Sequence, residues 1–182
     1  MSEETTTDTY RDRRFGFDVL LVDVPMTKVR GEWVPDINAN HLRTAVLAGL
    51  TAKPGPLTGA EIRFVRHWME KTSTDFGECL GVSHAAVLKW EKKDQQPTGM
   101  NRATEFRLRV LILERLPRPI QEQILASQQK VTRQQPELDD VLQLLDRLWN
   151  EASSEVPHDE PLEIPPELIA QQSLKTLRRQ QS

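Results

Sequence analysis

The chain has 182 residues, 37% of them hydrophobic, and a formal net charge of −3. That is enough for one or two small domains with a real core, while the acidic balance excludes a protein whose whole surface grips nucleic acid. Cys79 is the only cysteine, which excludes an intrachain disulfide and a multi-cysteine zinc site.

Met1 to Arg14 is polar with no periodic apolar pattern, so disorder is expected over residues 1–14. It holds no apolar signal core, and no later apolar run approaches membrane-spanning length, so a cytoplasmic protein with no membrane partner is expected. Residues 15–52 read as a small β-hairpin plus helix domain. Phe15 to Val24 delivers Val19, Leu20, Leu21, Val22 and Val24, a buried-strand composition broken by Asp23 and ended by Pro25. Thr27–Val29 and Glu32–Val34 flank Arg30 and Gly31 as a hairpin. From Asn40, Leu42, Ala45, Val46, Gly49 and Leu50 form an amphipathic helical stripe that covers one sheet face. Lys53-Pro54-Gly55-Pro56 (residues 53–56) is a linker, because two prolines forbid helix continuation.

Residues 57–117 read as a helix-turn-helix domain. Thr58 and Glu61 form a capping box, and Leu57 and Ile62 occupy the positions of a hydrophobic staple. Thr72 with Asp75 opens a second helix carrying Phe76, Cys79 and Leu80 on one face, and Gly81 ends it as a left-handed cap. Ser83 caps a third helix whose inward face is Val87 and Trp90. Helical spacing then turns His84, Ala85, Leu88 and Lys89 outward. The small residues Ala85 and Ala86 would let this helix sink into a major groove, where Lys89 and His84 can reach a base edge or a phosphate and Ser83 lies at the entering end. Ser73 and Thr74 sit where free N–H groups at a helix start attract a phosphate, and Lys92 and Lys93 form a further phosphate clamp. The cations Lys89, Lys92, Lys93, Arg102, Arg107 and Arg109 follow closely enough to suggest a local basic face. A plain helical bundle would share the caps and stripes.

Asn101 or Thr104 begins a helix through Leu116 with two apolar flanks: Phe106, Val110 and Leu113 on one, Leu108, Leu111 and Ile112 on the other. One flank is expected to close the bundle and the other to pair with a second copy of the chain. Residues 118–151 read as C-terminal helices, one over Ile120 to Ala126 and one from Pro136 to Trp149. Residues 152–182 read as an acidic linker and a short terminal helix suited to folding on a partner.

The stretch LTGAEIR at Leu57 to Arg63, LGVSHAAVLKWEK at Leu80 to Lys92, and Pro97 beyond it resemble the lambda-repressor/Cro type of helix-turn-helix. More narrowly they resemble the DNA-binding half of the MqsA (YgiT-type) antitoxins. The resemblance implies that Ala85 and Lys89 occupy the operator-reading positions, although Ala85 makes no polar base contact. The strand VLLVDVP and the following hairpin resemble the family's N-terminal zinc ribbon, but the turn from Lys28 to Glu32 has no thiol. The segment is therefore expected to be a zinc-free relic.

The expected fold is mainly α: a helix-turn-helix bundle of about five helices, preceded by a small α+β hairpin and helix subdomain and followed by helical, partly disordered C-terminal segments. The expected function is a sequence-specific repressor that binds double-stranded operator DNA as a homodimer. It would serve as the antitoxin of a type II toxin-antitoxin system, neutralising a small toxin protein. The alternative is a free-standing helix-turn-helix regulator with no toxin. No cofactor, metal or catalysis is expected: His41, His67, His84 and His158 lack metal-ligand spacing, and there is no glycine-rich phosphate loop.

Overall fold

The computed structural model describes residues 5–127, 145–146, 149–150 and 160–169. Among these residues the chain is mixed α and β, with four strands in one sheet and six helices. The strands are β1 (Thr5–Asp12), β2 (Val19–Val29), β3 (Glu32–Pro35) and β4 (Leu162–Ile164). The helices are α1 (Ala39–Ala52), α2 (Gly59–Trp68), α3 (Ser73–Leu80), α4 (His84–Glu91), α5 (Arg102–Arg115) and α6 (Arg118–Ser127).

The long strand β2 organises the sheet. β1 runs antiparallel along one edge, while the other edge takes β4 in parallel at Val19–Leu21 and β3 antiparallel at Met26–Val29. Val22 and Asp23 together oppose the single residue Thr9, a bulge in which Asp23 takes φ 51°. The extra residue shifts the side-chain alternation by one, so Val19 and Leu21 before it and Val24 and Met26 after it are all buried. Pro25 does not end the strand as the sequence reading expected: it lies between the β4 and β3 pairings, and its carbonyl accepts from the Asp36 N–H at 2.7 Å. The β2–β3 hairpin turns at Arg30 and Gly31 as expected, with φ 52° and 90°, the signature of a type I′ turn.

Two expectations of disorder or linker structure do not hold where the chain is described. Residues 5–12 are strand β1, because the apolar β2 offers a backbone ladder that needs no apolar side chains from its partner. Within the expected acidic linker, Leu162 and Ile164 are buried strand residues. Leu168 and Ile169, at the start of the expected terminal helix, are buried in a helical turn at 166–169, the last described residues. The helix expected from Pro136 to Trp149 lies largely outside the described residues.

Helix α1 is more deeply enclosed than an amphipathic stripe requires. Every residue from Ala45 to Thr51 is buried, with β4 on one side and α5 and α6 on the other. Gly49 permits the closest approach: a Cβ there would lie 2.5 Å from the Ile164 Cδ1. The core continues into α2, where Phe15 and Phe17 meet Phe64 edge-on at 5.4 and 5.7 Å.

The connection at residues 53–56 is clamped rather than a loose hinge. Arg109, fully buried on α5, donates to the carbonyls of Thr51 at 3.3 Å, Lys53 at 2.6 Å and Gly55 at 2.6 Å. It also pairs with Glu105 at 2.8 Å, and the same Glu105 oxygen accepts the Leu57 N–H at 3.0 Å. Burial pushes the Glu105 carboxyl above its ordinary pKa, against the charge and hydrogen bond of Arg109. Removing the guanidinium strands a carboxylate and three carbonyls in the core. Arg109→Leu is therefore expected to cost about 3–5 kcal/mol in urea unfolding; a loss below about 1 kcal/mol would show that the clamp holds nothing.

Candidate nucleic-acid interface

The local signals from Leu57 to Lys92 translate into the expected caps. The Thr58 side chain accepts from the Glu61 N–H at 3.4 Å, and the Glu61 carboxylate accepts from the Thr58 N–H at 2.8 Å. Leu57 and Ile62 are both buried, as the staple requires. Thr72 caps α3 and Ser83 caps α4 through the Asp75 and Ala86 N–H groups. Gly81, at φ 72°, is the left-handed residue between the helices. Cys79 is half-buried, while Phe76 and Leu80 fill the inward face of α3.

Gly77 sets how closely α3 and α4 approach, a role not recognised in the sequence although a glycine inside an eight-residue helix was the available signal. Its carbonyl accepts the Val82 N–H at 2.9 Å, and a Cβ on it would lie 2.7 Å from the Val82 oxygen. Below α4, two arginines of α2 fix its C-terminal end. Arg66 pairs with the Glu91 carboxylate at 2.6 Å, and Arg63 donates to the Glu91 carbonyl at 2.5 Å. Glu91 is buried and faces inward, so its charge is spent on Arg66 rather than displayed beside the lysines.

Val87 and Trp90 are buried, and His84, Ala85, Leu88 and Lys89 are exposed on the opposite face, with Ala86 half-buried between. Ser83, Lys92 and Lys93 are exposed beside this face. Lys89, Lys92 and Lys93 have no carboxylate partner among the described residues. Leu88, expected to face outward, is 43% exposed and adds an apolar contact surface to the site.

The wider basic face is smaller than the sequence suggested. Arg109 is in the core, and Arg102 stacks on Trp149 at 4.3 Å and donates to its carbonyl, so neither belongs to an exposed cationic stripe. Arg107 remains outward, its guanidinium 3.5 Å from where a Cβ on Gly81 would sit. At the start of α3, Ser73 is half-buried and Thr74 exposed, but Asp75 hydrogen-bonds Thr72 at 2.7 Å and Glu78 is exposed one turn on. These carboxylates already complement the helix start and disfavour an anion there. The cationic surface is thus concentrated on α4 and the two lysines that follow it.

Comparison of the chain with known protein families, with curated proteins and with solved structures finds no match.

Gly77 gives a test by sign. An alanine in an open helix interior stabilises by about 1 kcal/mol relative to glycine; here Gly77→Ala is expected to destabilise by about 1–3 kcal/mol, because the methyl meets backbone. Urea unfolding that shows a gain in stability would contradict the tight α3–α4 crossing.

Proposed function

We propose that this protein is a sequence-specific DNA-binding repressor that lays α4 in the major groove of double-stranded DNA. The observation that carries this reading is the face of α4 itself. It is exposed, small at Ala85 and Ala86, and bordered by Lys89, Lys92 and Lys93 with no carboxylate partners among the described residues. A helix presented in this way over a left-handed glycine turn matches the geometry by which helix-turn-helix proteins reach base edges. His84 and Lys89 would read bases, Leu88 would touch a thymine methyl, and Lys92 and Lys93 would hold phosphates.

The proposal includes a homodimer on a palindrome, since one short helix contacts too few base pairs to discriminate a site alone. On α5, Val110, Leu111 and Leu113 are half-buried and supply an apolar edge for it, whereas Phe106 is occupied by Trp149 at 5.5 Å. Neutralisation of a toxin rests on the resemblance to the MqsA antitoxins alone. A gene for a small ribonuclease-like protein beside this one would support it, and its absence would leave a free-standing regulator.

The DNA reading is tested at Lys89. Lys89→Ala is expected to cost about 1–3 kcal/mol on the preferred duplex and little on a scrambled one. Equal losses on both duplexes across a salt series would assign Lys89 to phosphate and reject base readout.

A further inference from the structure

A cleft opens between the β1–β2 turn, the start of α1 and the outer face of α2, with a volume of about 470 Å³. Its lining is chemically lopsided. Arg14, Arg43 and Arg63 contribute three cations from three different elements, His67 stands beside them, and no carboxylate lines the cleft. Phe15, Phe64 and Trp68 supply aromatic surface, and Leu42, Ala39 and Ala60 complete an apolar floor. The volume falls within the range of pockets that enclose a small organic molecule.

The three arginines differ in how far they are already engaged. Arg14 is forked onto the buried Asp12, whose carboxyl burial would raise but which the hydrogen bonds and charge of Arg14 hold below its ordinary pKa. That pair stays ionised and is net neutral, so the uncancelled charge over the cleft comes from Arg43 and Arg63. Arg63 makes one close bond to the Glu91 carbonyl and only a long 3.5 Å contact to the exposed Asp94. Arg43 is exposed and has no hydrogen-bond or ion-pair partner among the described residues. A guanidinium left unpaired over an aromatic-lined cleft is a ready partner for an anionic head group, and the rings favour a flat body behind it.

We propose that this cleft binds a small organic anion with a planar aromatic ring, its carboxylate or phosphate held by Arg43 and Arg63 and its ring against Phe15, Phe64 and Trp68. Arg63 also bonds the last residue of α4, so a ligand that recruits it loosens the end of that helix. The reading of the cleft does not depend on what α4 binds.

Calorimetric titration of the full chain with salicylate and with AMP tests it, against acetate, inorganic phosphate, phenol and adenosine as half-ligands. The expected result is that at least one of the two ring-bearing anions binds at least tenfold more tightly than either of its halves. Binding by salicylate alone or by AMP alone names the head group as carboxylate or phosphate. Arg43→Ala should weaken that binding at least tenfold with an unchanged melting temperature, and Arg43→Gln serves the same purpose if the alanine variant is poorly folded. No binding by either probe at millimolar concentration, equal binding of the half-ligands, or full affinity in the Arg43 variants would overturn the proposal. Hydrogen exchange at the amides of residues 91–95 reads the link to α4: faster exchange with bound ligand supports it, and unchanged exchange removes it.

Discussion

The buried pair of Arg109 and Glu105 adds a shared polar tie to elements that also pack on one another. Through them the end of α1, the proline-bounded connection, Leu57 just ahead of the α2 cap and the body of α5 share one set of hydrogen bonds. Lys53 extends the network to Glu61 at 2.7 Å, and Glu61 in turn closes the capping box that starts α2. Burying such charges costs more than it returns unless nearly every donor and acceptor is matched, so the value of the arrangement lies in register more than in net stability. An apolar pair would fill the same space without specifying where residues 53–57 run.

That register reaches the surface through α2. Once its N-terminus is fixed, Arg63 and Arg66 place the C-terminal end of α4, and Gly77 with Gly81 places the other end. Helix α4 is therefore held at both ends from beneath while its outer face carries no neighbour among the described residues. The net charge of −3 is compatible with a cationic face because Glu91 is turned inward to Arg66 and Asp75 and Glu78 lie on α3, which leaves Asp94 as the one exposed acid directly beside the lysines. The proposed readout needs this rigidity, since direct recognition of base edges depends on side chains delivered at fixed angles.

How much of this the sequence revealed depended on the range of the interaction. Caps, staples and the glycine turn act over three to five residues, so Thr58, Thr72, Gly81 and Ser83 could be read correctly. The same held for the Arg30–Gly31 hairpin. β1 was missed because its outward threonines and aspartate carry no alternation, its pairing being supplied by the apolar β2. β4 pairs with a strand about 140 residues away, a parallel contact with no local signature. Arg109 was misread as surface charge because an isolated arginine in a basic stretch looks the same whether it faces water or three backbone carbonyls. The aromatic and cationic cleft was invisible for a like reason: Arg14, Arg43 and Arg63 stand far apart in the chain.

The most direct test of the account is selection of duplexes from a random pool by the full-length protein over several rounds. The expected result is convergence on one motif with dyad symmetry and half-site centres about one helical turn apart, protected from cleavage in the major groove at each half-site. A pool that remains random, or that is retained equally by protein whose α4 face has been reversed in charge at Lys89, Lys92 and Lys93, would contradict it.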